Sequence, residues 1–302
     1  MSLFDGVAAA AVTPRHADRY ESNLAAFLEV VDFLGKFPLD GLVILGTTGE
    51  MVHFDVPERI KIVEFAKKRA QIPVIAGVTH STFEGTVDLA QHAVGIGCAG
   101  LAVMPPYYFR YGQPEIDTFY REFARRVGVG VPILLYNIPF FTSPVETETI
   151  IRLIEEGVVA GVKDSSGDRD RLRALLELRE RKPFHLMVGD DRLLLEAKQH
   201  TGVGSISGVA SAVPELLIGL QQGLSTSNDE KARTMDAYLQ EFCDWFDEFP
   251  NAIAVKEALA MRMRIPIPAA TPLSFDRQQK LEAFSAWFQG WLPGVLEAYG
   301  KS

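Results

Sequence analysis

A lysine closes one of the most apolar runs in this sequence. The run extends from Val158 to Val162 and is followed by Lys163 and Asp164 in the segment GVKDSSGD. An ammonium group beside a dry core is costly. Either Lys163 pairs with Asp164 or another carboxylate, or its partly desolvated amine is a nucleophile that forms a Schiff base with a ketone or aldehyde. In the second case the protonated imine acts as an electron sink.

Hydroxyl and amide side chains follow other apolar runs. Tyr136 and Asn137 begin the segment YNIP, and Thr47 and Thr48 lie in GTTGE. Schiff-base formation needs proton transfers, for which Tyr136 and a second tyrosine are suited. The glycines of GTTGE favour a tight turn whose N–H groups and hydroxyls hold a carboxylate, although a purely structural turn has the same pattern. Polar residues also follow the remaining runs: Tyr107, Tyr108, Asp190, Asp191, Ser205 and Ser207.

Metal and phosphate chemistry find little support in the sequence. The six histidines show neither H-x-x-x-H nor H-E-x-x-H spacing, and no G-x-x-x-x-G-K-S/T loop is present. The segment GDD at 189–191 is compatible with Mg²⁺, but two acids on one loop more often bind a polyol or cap a helix. We therefore expect no metal.

Composition and charge restrict the partners of the chain. Its 302 residues have a formal net charge of -9, which argues against nucleic acid and anionic membranes. No apolar run approaches the roughly 20 residues of a membrane span, and the first residues lack the features of a secretory leader. Cys98 and Cys243 fit no metal spacing and suit a reducing compartment. We expect a cytoplasmic protein that binds a small molecule or another protein.

Eight apolar runs alternate with helical patterns, and this alternation predicts how the polar residues are positioned. The runs lack in/out alternation, which is typical of parallel strands covered on both faces. They end near residues 14, 46, 78, 105, 136, 163, 190 and 208. This spacing predicts an α/β fold, a closed (β/α)8 TIM barrel, whose active site lies at the carboxyl ends of the strands. An open doubly wound sheet is the alternative, but no G-x-G-x-x-G follows the first run.

Strand patterns stop near residue 212, whereas helical patterns continue. We predict a barrel domain over residues 1–224 and a C-terminal helical domain over residues 225–302. The junction is STSND, with Asn228 or Asp229 as the N-cap of the next helix. Large aromatic side chains of the second domain are expected to pack on one another, on the barrel or on a neighbouring subunit. They are Phe242, Trp245, Phe246, Trp287, Phe288 and Trp291.

Three motifs together carry a family resemblance. GTTGE (46–50), YNIP (136–139) and GVKDSSGD (161–168) occur in an order, spacing and strand position that resemble the dihydrodipicolinate synthase and N-acetylneuraminate lyase family of class I aldolases. The likeness extends over the chain, including NAIAVKEALA (251–260). It implies a (β/α)8 barrel, usually a homotetramer in which Tyr108 reaches across a dimer interface. It also implies pyruvate or another 2-oxo acid bound to the lysine, with neither a metal nor an organic cofactor.

The resemblance implies roles for individual residues. Lys163 is similar to the Schiff-base lysine of the family, and Tyr136 to the tyrosine that handles its protons. Thr47 resembles the relay hydroxyl beside that tyrosine. Thr48 and the adjacent backbone at Gly49 resemble the site of the pyruvyl carboxylate. Substrate contacts farther from the lysine are implied for Gly189, Asp191, Ile206 and Ser207.

One departure from the family pattern concerns the substrate. In the lysine-biosynthetic synthases an arginine follows the YN-x-P motif and anchors the carboxylate of aspartate semialdehyde. This chain has Phe140 and Phe141 there, and an aromatic ring does not replace a bidentate guanidinium. Arg110 on a nearby loop is a candidate substitute, with a surface or interface salt bridge as its plainer role. We treat Phe140 and Phe141 as specificity residues.

These observations predict a Schiff-base lyase. It reversibly cleaves a 2-oxo acid, such as a 2-keto-3-deoxy sugar acid or a 4-hydroxy-2-oxo acid, into pyruvate and an aldehyde. Within the same class, 4-hydroxy-tetrahydrodipicolinate synthase and a sugar-acid dehydratase that uses the same lysine imine are alternatives. Outside it, a barrel that only senses 2-oxo acids is the alternative, but a sensor has no need of a desolvated amine.

Overall fold

A closed barrel of parallel strands forms the centre of the protein. The computed structural model describes residues 3–18, 21–128, 130–250 and 252–300. Each strand pairs in parallel with the next, and the eighth pairs with the first. The predicted (β/α)8 TIM barrel is therefore confirmed. The strands are β1 (Val7–Ala10), β2 (Gly41–Ile44), β3 (Val74–Gly77), β4 (Gly100–Val103), β5 (Ile133–Asn137), β6 (Gly161–Asp164), β7 (His185–Val188) and β8 (Gly204–Ser207).

A helix follows each strand, as the sequence pattern predicts, and three more helices come after them within the described residues. Several begin at a side chain that accepts a hydrogen bond from the first turn, such as Asn23, Asp55, Thr82 and Asp168. Each such cap stabilises a helix by about 1 kcal/mol. Within the described ranges, no helix combines the length and apolar character needed to cross a membrane. The helices are α1 (Leu24–Leu34), α2 (Val56–Arg69), α3 (Phe83–Gly95), α4 (Gln113–Val127), α5 (Thr147–Glu155), α6 (Arg169–Arg181), α7 (Leu194–Lys198), α8 (Pro214–Ser225), α9 (Asp229–Asp247), α10 (Ile253–Met263) and α11 (Phe275–Gly300).

Alternate residues of each strand point into the barrel. Their buried inner cluster combines small side chains with branched ones: Ala8, Ala10, Val43, Ile75, Ala102, Leu134, Met187 and Ile206. Because the side-chain period of a strand is two, Tyr136 shares the inward face of β5 with Leu134. Tyr136 is also in register with Lys163 of β6. The next residue, Asp164, therefore points away from the barrel interior.

The first strand is shorter than its apolar run predicts, because β1 ends at Ala10 rather than near Pro14. The chain beyond it stays buried. Ala11 N–H still donates to Val43 O at 2.9 Å, but Val12 N–H donates to Ser211 Oγ at 3.0 Å. Since a side chain replaces the neighbouring strand as acceptor, the ladder stops although the apolar run continues. The other strands end close to the predicted positions.

The C-terminal helices pack on one another and on the barrel. The predicted junction falls in the turn between α8 and α9, where Asn228 Oδ1 caps α9 by accepting from Lys231 N–H at 3.0 Å. Helix α9 packs on α8, the last helix of the barrel. On its other side, the Phe242 ring contacts aromatic rings of α11. This packing brings the end of α9 to the cavity described next.

Candidate active site

Lys163 lies at the carboxyl end of β6 and points into the barrel. It is 4% exposed, and its Nζ lies 4.0 Å from the centroid of the Tyr136 ring. Gly189, just after β7, makes room for it, since a Cβ there would lie 2.7 Å from Lys163 Cε. No carboxylate of the described residues lies within 4.0 Å of this amine. The lysine is therefore buried against an aromatic face without a paired anion, which is costly for a purely structural side chain.

Asp164 is engaged away from Lys163. Its Oδ1 accepts from Asn137 Nδ2 at 2.6 Å and its Oδ2 from Ser166 Oγ at 2.7 Å, while Arg171 lies 3.8 Å away. Burial raises the pKa of Asp164, and these three partners oppose that effect. A salt bridge between Lys163 and its sequence neighbour, one of the two explanations open from the sequence, is therefore wrong. The alternation of side chains along β6 is the physical reason.

The hydroxyl of Tyr136 connects the lysine to the GTTGE segment. Thr47 Oγ1 and Tyr136 Oη are 3.1 Å apart, so one of the two hydroxyls donates to the other. Tyr136 is 5% exposed, so both its ring and its contact with Lys163 are shielded from bulk water. The amine, the phenol and the alcohol form one short series, which is suited to moving protons to and from the lysine.

The GTTGE segment forms a tight turn after β2. Leu45 and Glu50, at its two ends, have left-handed φ angles of 59° and 51°, a conformation that costs an L-residue about 1–2 kcal/mol. Glu50 N–H donates to Thr47 O at 2.9 Å and closes the turn. In the described part of the chain, no group accepts a hydrogen bond from the N–H of Thr48 or Gly49. These N–H groups are therefore available to an anion.

A buried ion pair holds the far end of this turn. Lys256 Nζ on α10 lies 2.7 Å from Glu50 Oε2, and the two side chains are 2% and 6% exposed. Burial lowers the pKa of Lys256, and the Glu50 carboxylate opposes that effect. The pair joins the C-terminal helices to the GTTGE turn. The sequence shows the segment NAIAVKEALA as part of a resemblance, but no pattern in it assigns Lys256 a partner.

A cavity of about 440 Å³ lies over Lys163. This volume is typical of sites for small molecules, which occupy roughly 300–1,000 Å³. The cavity brings together most of the residues that the sequence predicts for the site. The predicted residues that line it are Thr47, Thr48, Tyr136, Phe140, Phe141, Lys163, Gly189, Asp191 and Ile206.

Three predicted residues lie outside the cavity lining. Gly49 is part of the GTTGE turn, and a Cβ on it would lie 3.1 Å from the Ala11 carbonyl oxygen instead of in the cavity. Ser207 is fully buried and donates its hydroxyl to Asp191 Oδ2 at 2.7 Å, so it supports Asp191 instead of facing a ligand. Tyr108 is 89% exposed and has a φ of 78°.

Asp191 is an acidic group of the cavity wall whose pKa lies far from its ordinary value. Burial raises its pKa to about 7, and the hydrogen bond from Ser207 opposes that effect. Its other oxygen, Oδ1, is buried and has no partner among the described residues. A carboxyl group with such a pKa donates a hydrogen bond when protonated and accepts one when ionised.

The neighbouring acid, Asp190, caps the turn after β7. Its Oδ1 accepts from Arg192 N–H at 3.0 Å, as the helix-capping interpretation of the GDD segment predicts. Among the described residues, no three His, Cys, Asp or Glu side chains form a group that could hold a metal ion.

The end of α9 supplies part of the cavity wall that sequence patterns do not predict. Arg192 also lines the cavity, and its Nη2 lies 2.9 Å from Asp244 and 2.7 Å from Asp247 of that helix. The spacing of the apolar residues marks one helix face, but packing on the barrel explains such a face equally well. The sequence therefore shows that α9 has an apolar face but does not show that the end of this helix reaches the cavity. The lining residues from this segment are Cys243, Phe246, Asp247 and Phe249.

Comparison with known proteins decides the family. The sequence model of the dihydrodipicolinate synthetase family matches residues 3–286. The chain belongs to this family. The 4-hydroxy-tetrahydrodipicolinate synthase of Salinibacter ruber is 33% identical over 297 residues, covering 93% of this chain and 95% of the relative. A "probable 2-dehydro-3-deoxy-D-pentonate aldolase" of Escherichia coli is 31% identical over 245 residues, covering 79% and 80%.

The fold agrees with that of solved members of the dihydrodipicolinate synthetase family. The crystal structure of dihydrodipicolinate synthase from Aquifex aeolicus superimposes with a TM-score of 0.84 at 27% identity, covering 94% of this chain and 98% of that one. The predicted family is confirmed, and the chain is an enzyme, a carbon–carbon lyase of the family.

The structure also places Phe140 and Phe141, the two residues that depart from the family pattern after the YN-x-P motif. Both rings line the cavity and remain 71% and 55% exposed. Arg110, the candidate substitute for the missing arginine, donates through Nη1 to Thr142 O and is not part of the lining. Among the described residues, the guanidinium that lines the cavity is that of Arg192, which follows β7 and not the YN-x-P motif.

Proposed function

We propose that this protein is a Schiff-base aldolase that reversibly cleaves a 2-oxo acid, a 2-keto-3-deoxy sugar acid or a 4-hydroxy-2-oxo acid, into pyruvate and an aldehyde. One observation carries the proposal. Lys163 is buried without a carboxylate partner at the base of a 440 Å³ cavity, and its amine faces the ring of Tyr136. An amine placed in this way can attack the carbonyl carbon of a ketone that enters the cavity.

The reaction follows from the chemistry of that amine. Lys163 Nζ attacks C2 of the 2-oxo acid, and loss of water from the carbinolamine gives an iminium. The C4 hydroxyl then loses its proton, the C3–C4 bond breaks and its electron pair enters the iminium, which releases the aldehyde and leaves an enamine. Protonation of the enamine at C3 and addition of water release pyruvate and the free lysine. The iminium is the electron sink, so we propose that no metal or organic cofactor takes part.

The side chains around Lys163 divide the remaining tasks. In our proposal Tyr136 carries protons at the carbinolamine and at the C4 oxygen, and Thr47, 3.1 Å from it, relays them. Thr48 and the available N–H groups of the GTTGE turn hold the carboxylate beside the ketone. Asp191 Oδ1 meets the C4 hydroxyl, since it is a buried oxygen without a partner in the described chain.

Trapping with borohydride tests the proposal. Incubation with pyruvate and borohydride is expected to add the mass of one reduced pyruvyl imine to the peptide that contains Lys163. Lys163→Met should abolish the adduct. Lys198→Met is the matched control. Burial lowers the pKa of Lys198 to about 8, but that amine lies at the amino ends of the strands, near Gly6 and Val203. An adduct that survives Lys163→Met, or the absence of any adduct, would refute the proposal.

We also propose a homotetramer whose tight dimer contributes Tyr108 to the neighbouring site. Tyr108 and Phe109 are 89% and 66% exposed and contact each other edge to face. Beside them, Val52 and Phe141 border a second cavity of about 250 Å³, whose lining includes Tyr107 and is largely apolar. Exposed apolar surface of this kind is typical of an interface.

Complementation tests the shared site. Tyr108→Phe is expected to lower turnover without changing the mass of the oligomer in light scattering. Mixing Lys163→Met with Tyr108→Phe subunits should restore activity, because one site of each mixed dimer then has both native residues. Full activity of Tyr108→Phe alone would contradict the proposed role, and a monomeric particle would contradict the assembly.

The synthase reaction is the second candidate, favoured by the name of the Salinibacter ruber relative. It would use the same lysine with aspartate semialdehyde as the acceptor. Against the synthase, Phe140 and Phe141 follow the YN-x-P motif and line the cavity, at the sequence position where the synthase pattern has an arginine for the acceptor carboxylate. Efficient condensation of pyruvate with aspartate semialdehyde would favour the synthase, and loss of water without formation of pyruvate would favour a sugar-acid dehydratase.

We further propose that the enzyme works in the cytoplasm. Its two cysteines, Cys98 and Cys243, are buried free thiols. Burial raises the pKa of Cys98 to about 11, which makes that thiol unreactive. Free thiols are usual in a reducing compartment, and cell fractionation tests this location.

A further inference from the structure

We propose that the acceptor aldehyde of this enzyme is uncharged and carries an apolar substituent. The inference rests on the proposed function, because it concerns the part of the cavity beyond the pyruvyl group, and of the two substrate classes named there it selects the 4-hydroxy-2-oxo acid over the 2-keto-3-deoxy sugar acid. That part is bounded by the loop after β5, by the turn after β7 and by the end of α9. The charges and the apolar surface of these three segments point to the same kind of substituent.

Among the described residues, the cations of the cavity are engaged or outweighed by acidic side chains. Lys163 and Arg192 are the two cationic side chains among the described lining residues. Lys163 forms the covalent imine with pyruvate and is therefore not free to bind the acceptor. The Nη2 of Arg192 is shared by Asp244 at 2.9 Å and Asp247 at 2.7 Å. These two carboxylates carry more negative charge than the guanidinium carries positive charge, so the group has little net attraction for a phosphate or carboxylate.

Acidic side chains of the cavity wall also repel an anionic acceptor. Asp190, Asp191 and Asp247 line the cavity beside Arg192. Even with Asp191 protonated, the carboxylates of Asp190 and Asp247 remain to oppose an incoming anion. The wall thus disfavours a phosphorylated aldehyde and one that bears a carboxylate.

Hydroxyl groups on the acceptor would meet polar groups that are partly engaged already, with Ser165 as a further hydroxyl in the lining. Asp190 Oδ1 already accepts from Arg192 N–H, and Asp191 Oδ2 accepts from Ser207. Asp191 Oδ1 is the buried oxygen of this wall that lacks a partner among the described residues. In this proposal, the hydroxyl that forms at C4 in the condensation reaction is the hydrogen-bond partner of this oxygen. Each further hydroxyl that is desolvated without a partner costs about 1–3 kcal/mol.

Aromatic surface from two separate segments completes the wall. Phe140 and Phe141 come from the loop after β5, and Phe246 and Phe249 come from the end of α9 and the residues after it. Phe140 is 71% exposed, so a ligand that covers it removes apolar area from water. At about 25 cal/mol per Å², an alkyl or aryl substituent is stabilised there, whereas a polyol is not.

A panel of aldehydes tests the inference. Pyruvate is condensed with benzaldehyde, glyceraldehyde, glyceraldehyde 3-phosphate and aspartate semialdehyde, and kcat/KM is measured for each from product formation. Benzaldehyde is expected to exceed glyceraldehyde by roughly tenfold or more, and the two anionic aldehydes by a wider margin. An equal or higher value for any of the other three would overturn the inference. So would failure to turn over benzaldehyde while Lys163 still traps pyruvate, whereas loss of trapping refutes the proposed function instead.

Substitutions of residues that line the cavity test which side chains set the preference for an apolar aldehyde. Phe246→Ala is expected to lower the ratio of kcat/KM for benzaldehyde to that for acetaldehyde by about tenfold. Phe65→Ala, at a ring of α2 that is 39% exposed and outside the lining, is the matched control and should leave the ratio unchanged. Asp244→Asn combined with Asp247→Asn releases Arg192 and should raise kcat/KM for glyceraldehyde 3-phosphate. An unchanged ratio in Phe246→Ala, or no gain in the double variant, would contradict the proposed wall.

Discussion

Replacing Lys256 by methionine tests whether the buried pair with Glu50 holds the GTTGE turn. Both partners are nearly inaccessible to solvent, and the Nζ to Oε2 distance is 2.7 Å. Removing one member of such a pair leaves the other charge buried and unpaired, which costs about 3–5 kcal/mol. We expect Lys256→Met to lower the free energy of unfolding by that amount.

The same reasoning predicts how a second change compensates. Replacing both members of a buried pair by uncharged groups is often neutral or stabilising. The double variant Glu50→Gln with Lys256→Met should therefore recover most of the lost stability, and Lys256→Arg, which keeps a cation, should lose less than Lys256→Met. Because the turn presents the N–H groups of Thr48 and Gly49, we also expect Lys256→Met to raise the KM for pyruvate more than it lowers kcat.

Guanidinium chloride denaturation, followed by tryptophan fluorescence, measures the free energies, and the pyruvate dependence of turnover measures KM. Lys280→Met is the matched control, since Lys280 pairs with Glu248 while both are almost half exposed, at 48% and 46%. Exposed pairs contribute about 0–1 kcal/mol. A loss in Lys256→Met no larger than in Lys280→Met, with an unchanged KM, would refute the structural role of the pair.

Three further predictions follow from single contacts. Gly189→Ala places a Cβ 2.7 Å from Lys163 Cε, so the rate of borohydride trapping should fall by about tenfold or more, a change of 1.4 kcal/mol in barrier; an unchanged rate in a folded variant would contradict this. Burial raises the pKa of Asp191 from 3.8 to about 7, so its contribution to stability is complete below about pH 4 and is lost as the pH rises towards 7. Asp191→Asn removes that pH dependence. Between those limits, the free energy of unfolding of the variant should therefore rise relative to that of the native chain by about 1.4 kcal/mol per pH unit, and the same pH dependence of stability in both chains would contradict this. Asn228→Ala removes the bond that caps α9, from Lys231 N–H at 3.0 Å, and should cost about 1 kcal/mol in denaturant unfolding; full stability would exclude a capping role.

Much of the barrel can be predicted from local pattern. Near-continuous apolar runs that alternate with helical segments leave few folds in which every strand is covered on both faces. The ends of the strands are less certain, as β1 shows, because the ladder there stops where Ser211 Oγ accepts from Val12 N–H. A residue nearly two hundred positions away decides that boundary, and no local pattern contains it.

The candidate site also combines features that local sequence patterns predict with features that depend on the tertiary structure. The sequence identifies Lys163, Tyr136 and Thr47 because each ends or follows an apolar run, and strand ends meet at one rim of a barrel. It leaves open whether Lys163 pairs with Asp164. The alternation of side chains along β6, together with the bonds from Asn137 and Ser166 to Asp164, decides that question.

By itself, the sequence determined the fold class, the family and the residues that could form an imine, because periodicity and short motifs are local properties. Only the tertiary structure decided that Ser207 supports Asp191, that Lys256 reaches Glu50, and that the end of α9 walls the cavity. Each of these contacts joins separate segments of the chain. Their partners are set by how helices and strands pack in three dimensions, and a one-dimensional pattern does not encode that geometry.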